Sequence, residues 1–156
     1  MSVETAEDSF TRFATGAAPR LNQALISVVG DAGRDAASEA LLYGWQHWDR
    51  VSRMENPAGY LYRVGLSRVR RSQRRKQNLV FPEPPDGELP WVEPKLPGAL
   101  AGLSGKQRAT VMLVHGFGWT VREVADLIGV SAGTVQKHDE RAMRKLRSSL
   151  KVGINA

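Results

Sequence analysis

Residues 121–140, VREVADLIGVSAGTVQKHDE, constrain this chain more than any other stretch. They read as two short helices around a tight turn. Val124, Ala125 and Ile128 share one face of the first helix. Gly129 falls where the chain must turn sharply, which a residue without Cβ does at least cost. Val130 packs the turn, Val135 begins the inner face of the second helix, and the small Ala125 allows that helix to cross closely. Both helices carry start signals: Thr120-Val121-Arg122-Glu123 forms a capping box, and Ser131 is a good N-cap. The pattern is a helix-turn-helix, whose second helix suits the major groove of DNA.

The remainder of the chain is also helical in pattern. Residues 11–29 predict one or two helices, interrupted at Gly16 and Pro19. Gly30-Asp31-Ala32-Gly33 reads as a turn. From Asp35 to Trp48, Ala36, Ala37, Ala40, Leu41, Tyr43 and Trp48 recur at the spacing of a buried helical face. Pro57 is placed for the first turn of a helix running from about Ala58 to Lys76. Residues 77–97 then hold 6 of the chain's 8 prolines, which excludes a regular helix and predicts a semi-stiff linker. Ser104-Gly105-Lys106-Gln107 is a second capping box and announces a helix through Val111 and Leu113 to Gly116. The expected fold is all-α, two small helical domains joined by a proline-rich linker.

Charge follows the same division. The net charge of +6 comes from blocks of −3 (residues 1–50), +7 (51–76), −3 (77–97) and +5 (98–156). Two basic units around an acidic connector suit two surfaces that meet phosphate backbones; the alternative is a pair of solvated basic faces. The absence of cysteine excludes disulfides and thiolate metal sites and fits a reducing cytoplasm. No secretory leader and no membrane-spanning apolar run is present.

Within 58–76, Arg63, Arg70 and Arg74 lie within about 40° of one another on a helical projection. Arg68, Arg71 and Arg75 make a second stripe. Leu61, Val64 and Val69 form the opposing side, with Tyr60 and Tyr62 at its margins. Arginine suits bidentate phosphate contact; the competing reading is an amphipathic helix with a solvated face. In the C-terminal unit, Gly133, Lys137, Arg141 and Arg144 share the outer face of the second helix, while Val135, Ala142 and Leu146 share the inner one. Ala132, Gly133, Gln136 and Lys137 occupy the N-terminal turns, where base edges are read. Thr120, Arg122 and Ser131, at the helix starts, complete the DNA-facing set. His138 and Asp139 stand near the inner stripe, where apolar residues are expected. Asp35 and Glu39 form an i, i+4 pair on a solvated or partner-facing edge. His47, His115 and His138 lack the spacing of a metal site. No phosphate-cradling loop, nucleophile elbow or paired-carboxylate motif appears, so neither an enzyme nor a cofactor is expected.

Three stretches together resemble one family. Gly44-Trp45-Gln46-His47-Trp48-Asp49-Arg50-Val51 looks like the end of a polymerase-docking helix. Asn56-Pro57-Ala58-Gly59-Tyr60-Leu61-Tyr62-Arg63-Val64 looks like the start of a helix facing the promoter −10 element. Leu103-Ser104-Gly105-Lys106-Gln107-Arg108 and Gly133-Thr134-Val135 resemble the domain that reads the −35 element. In this order they resemble the sigma-70-type initiation factors of the extracytoplasmic-function class, and the likeness begins near residue 11. Ser38-Glu39-Ala40-Leu41 stands where the family usually carries Gln-Glu-Ala-Phe.

The resemblance implies a region 2-like domain (1–76), an acidic linker (77–97) and a winged-helix-like region 4 domain (98–156). It implies −35 contacts by Ala132, Thr134, Gln136, Lys137 and Arg141, and partner contacts by Asp35, Glu39, Trp45 and Trp48. The expected partners are promoter DNA, core RNA polymerase and an anti-sigma factor, for a cytoplasmic chain that is monomeric when free. Two other readings stay open: a stand-alone helix-turn-helix regulator, and an interaction protein with basic faces.

Overall fold

A computed structural model describes residues 3–73 and 95–151, which form helices and short turns with no strand among them. Arg74, Arg75, Lys76 and all but the last three residues of the predicted linker lie outside the described residues. Thr5 opens helix α1 (Ala6–Val29): its hydroxyl accepts from the Asp8 N–H at 3.1 Å, and the Asp8 carboxylate accepts from the Thr5 N–H. The predicted interruption is absent. One continuous helix runs through Gly16 and Pro19. An interior proline costs about 3 kcal/mol, but Ala17, Leu21, Ala24 and Leu25 bury one unbroken stripe across it. Packing decides the outcome here.

Gly30, at φ 76°, turns the chain into α2 (Ala32–Gln46), which begins three residues before the expected start at Asp35. Gly33 is needed in its first turn, because a Cβ there would stand 2.4 Å from the Ile26 backbone nitrogen. The helix ends at Gln46, and Trp48 starts the short α3 (Trp48–Val51). Pro57 leads α4 (Pro57–Gln73), as the sequence predicts. Leu61, Tyr62 and Val69 of α4 are buried in the core shared with α1 and α2. Tyr62 is only 4% exposed, so it is a core residue and not a marginal one; burial pushes its hydroxyl up to about 12.

The second unit starts with α5 (Leu96–Ala101), two residues before Gly98. Ser104 and Gln107 form the predicted capping box of α6 (Gly105–Val111), which continues as a π-helical turn, Met112–Gly116. Helices α7 (Val121–Ile128) and α8 (Ala132–Lys151) follow.

A shared core packs the two units against each other. One buried cluster runs from Leu21, Leu25 and Leu61 to Leu113, Trp119, Val124 and Val135. Polar contacts reinforce it. Arg108 of α6, 5% exposed, donates from Nε to the Val28 carbonyl of α1 at 3.0 Å and from Nη1 to the Leu103 carbonyl at 2.9 Å. Val28 lies in the last turn of α1, where carbonyls lack helical partners and no basic side chain of α1 is present. Arg108 supplies that charge from the other unit. Trp119 Nε1 donates to Gln23 Oε1 at 2.8 Å, Asn56 Nδ2 donates to the Asp126 carbonyl at 2.6 Å, and Arg20 pairs with Glu123.

Candidate nucleic-acid interface

The helix-turn-helix is built by local hydrogen bonds at both of its starts. Thr120 accepts from the Glu123 N–H at 3.1 Å and Glu123 returns to the Thr120 N–H at 3.2 Å. These contacts, the Thr120 backbone first and then Arg20, hold the Glu123 carboxyl below its usual range. Gly129 adopts the left-handed conformation (φ 82°, ψ 36°) that ends α7, and its N–H donates to the Ala125 carbonyl at 2.9 Å. Ser131 then caps α8 by accepting from the Thr134 N–H at 3.1 Å. Val124, Ala125, Val135, Ala142 and Leu146 are all buried, as the spacing predicts. Leu127 is buried as well, against the first unit, a contact that a reading of the motif in isolation misses.

With the inner stripe fixed, the outer face follows. Ala132, Gly133, Gln136, Lys137, Arg141 and Arg144 are exposed along α8, and Thr120, Arg122 and Ser131 are exposed beside its start. Thr134 is half-buried and its hydroxyl lies 2.9 Å from that of Ser131. Among the described residues, Arg122, Lys137, Arg141 and Arg144 make no ion pair. The face offers uncompensated cations beside small residues, which lets a helix approach a base edge closely. The two polar residues near the inner stripe have separate explanations. Asp139 Oδ1 pairs with His115 Nε2 of the π-turn at 2.9 Å. His138 is half-buried; burial, then Lys106 and Arg141, push its imidazole below the ordinary histidine value, which leaves it neutral at pH 7.

The second predicted basic face divides differently. Arg63 and Arg70 are exposed on α4, while Arg74 lies outside the described residues. Arg68 turns to Glu39 of α2, at 3.6 Å, so Glu39 is engaged within the chain. Of the other predicted partner residues, Asp35 is exposed and Trp45 is 44% exposed beside Leu42, at 56%. Trp48 is only 8% exposed. Its ring packs 4.9 Å from Phe13 and 5.4 Å from Phe10, and its Nε1 donates to Ser9 Oγ, so it supports the core and offers no open surface. Sequence reading did not find the contacts of Arg20, Gln23 and Asn56 with the second unit, because those partners lie far along the chain.

The fold and this face define a class: a helical protein whose C-terminal unit is a DNA-binding helix-turn-helix of the sigma type. The family description "Sigma-70, region 4" matches residues 99–148. The extracytoplasmic-function RNA polymerase sigma factor SigL of Mycobacterium tuberculosis (strain H37Rv) is 28% identical over 140 residues, covering 80% of this chain and 79% of that one. SigL of the Erdman strain gives the same figures, 28% over 140 residues. In fold, the sigma factor RpoE of Bartonella quintana, solved with the anti-sigma factor NepR, matches with a TM-score of 0.61 at 24% identity, over 92% of this chain and 98% of that one. CnrH, solved with the cytosolic domain of CnrY, matches with a TM-score of 0.60 at 20% identity, over 94% of this chain and 90% of that one. Residues 99–148 are thus similar to sigma-70 region 4, and the chain is similar in sequence to extracytoplasmic-function sigma factors, which supports the role of a sigma factor in transcription initiation.

Proposed function

We propose that the chain is a non-catalytic, dissociable specificity subunit that brings core RNA polymerase to promoters in the cytoplasm. In this reading the outer face of α8, from Ala132 to Arg144, reads the −35 element, with Thr120, Arg122 and Ser131 at its upstream edge. The observation that carries it is the row of unpaired cations and small residues on that face. Residues 1–76 serve as the region 2-like unit, 98–156 as the region 4-like unit, and 77–97 connect them. Arg63, Arg70 and Arg74 of the first unit contact the −10 region.

The exposed edge of α2, with Asp35, Leu42 and Trp45, docks on the polymerase. An apolar pair beside a carboxylate, open to solvent, is the composition of a small protein interface. An anti-sigma factor is the expected regulator, in keeping with the complex in which the RpoE relative was solved. No helix among the described residues is long and apolar enough to cross a membrane. Co-purification from cells tests the assignment: stoichiometric polymerase core subunits are expected with the wild-type chain, and a Leu42→Ser, Trp45→Ala variant loses them. Recovery of a homodimer free of polymerase would instead identify a stand-alone regulator.

A further inference from the structure

A cavity of about 540 Å³ opens where the two units meet, between α1, α4, α6 and α7. Four cations stand around it: Arg63, Arg70 and Arg71 from α4, and Lys106 from α6. Among the described residues, no carboxylate lines it and none of the four makes an ion pair. The floor is apolar, made of Val28, Leu66 and Ile128. Closing the units brings Lys106 toward three arginines, and like charges gathered in one recess repel unless a counter-charge enters.

The composition restricts what that counter-charge is. Arginine forks bind phosphate oxygens bidentately, and lysine adds a point charge. The size falls within the roughly 300–1,000 Å³ of small-molecule sites, where an apolar wall covers the ligand body and a few polar groups orient it. A DNA duplex is a poor occupant, because Lys106 and Ile128 line the recess only while the second unit is packed on the first.

We propose that this junction cavity binds an organic polyphosphate of nucleotide size, and that its occupancy holds the units together at the expense of promoter engagement. The phosphates lie among Arg63, Arg70, Arg71 and Lys106; the ring system lies over Val28, Leu66 and Ile128. The binding clause is independent of the proposed promoter contacts, whereas the clause on promoter engagement rests on them.

The test is calorimetric titration of the full chain, at low salt, with adenosine and guanosine triphosphates and with inorganic tripolyphosphate. One nucleotide is expected to bind per chain, with tripolyphosphate at least tenfold weaker because it leaves the floor uncovered. Arg71→Ala and Lys106→Ala, on opposite walls, each weaken nucleotide binding by about tenfold or more. Arg53→Ala, which removes the same charge away from the cavity, binds like the wild type, and thermal melts confirm that all three variants fold. The site is overturned by an absence of heat up to millimolar nucleotide, by equal affinity for tripolyphosphate, by an equal loss in Arg53→Ala, or by indifference to Lys106→Ala. Anisotropy of a labelled promoter duplex tests the second clause: nucleotide lowers binding of the wild type and not of Lys106→Ala. Unchanged duplex binding with nucleotide present overturns that clause. A chain that binds nucleotide but no promoter at all contradicts the proposed function and leaves the cavity assignment standing.

Discussion

Arg108 joins the units at the residue scale. Its guanidinium reaches carbonyls on α1 and on the turn before α6, and burial lowers its pKa. Arg108→Ala would leave those carbonyls unpaired and is expected to cost about 2–3 kcal/mol in urea denaturation. Arg108→Lys should recover only part of this, since one ammonium cannot reproduce the fork. His138 is shifted in the same direction by burial, in a range nearer neutrality. Its folded pKa lies below the ordinary 6.5, so the unfolded chain binds the proton first. Its contribution is complete above pH 6.5 and declines as pH falls through the window below that value. A His138→Gln variant should show a flatter stability profile in that window by thermal melting; an unchanged profile would assign the dependence elsewhere. Residues with local partners were legible in the sequence: Thr120, Ser104 and Ser131 cap as their spacing predicts. The long-range bonds of Arg108 and Asn56 were not, because those partners lie 80 and 70 residues away.

For the elements, legibility tracked periodicity. The helix-turn-helix followed from Val124, Ala125, Gly129 and Val135 because a sharp turn and a close crossing accept few residue types there. Helix α1 was misread at Pro19, since the penalty is local whereas the compensating stripe spans the helix and depends on its neighbours. The arginine stripes of α4 were found, but not their division, in which Arg68 goes to Glu39 while Arg63, Arg70 and Arg71 face one cavity. On α8 the proposed DNA contacts fall into two kinds along the helix. Lys137 stands early enough to reach base edges; Arg144 stands two turns on, near His115 and Asp139. Lys137→Ala is expected to relax preference at one position of the upstream element, at a cost of about 1–3 kcal/mol on the preferred base. Arg144→Ala should weaken all sequences alike or have no effect. Binding-site selection on both variants distinguishes them, and helix propensity cannot imitate the pattern because alanine is favourable at both positions.

At the scale of the whole molecule, the packed arrangement bears on the proposed promoter contacts. Elements named −10 and −35 lie on the order of 25 base pairs, roughly 85 Å, apart along B-DNA at 3.4 Å per pair, while Asn56, just before α4, touches Asp126 of α7. If the two units engage the two elements as proposed, they must separate to do so. A tether tests this directly, in a chain that has no cysteine of its own. A Cβ built on Gly105 stands 3.3 Å from Val28 Cγ1, a close approach that makes Val28→Cys with Gly105→Cys the pair chosen for a disulfide tether. The oxidised double variant is expected to fail at initiation and to recover on reduction. The most direct measurement of the central claim is run-off transcription with purified core polymerase on a genomic promoter library. Discrete transcripts that appear only when the chain is added are the predicted result. Identical transcripts with and without the chain, on every template, would contradict its assignment as a promoter-specificity subunit.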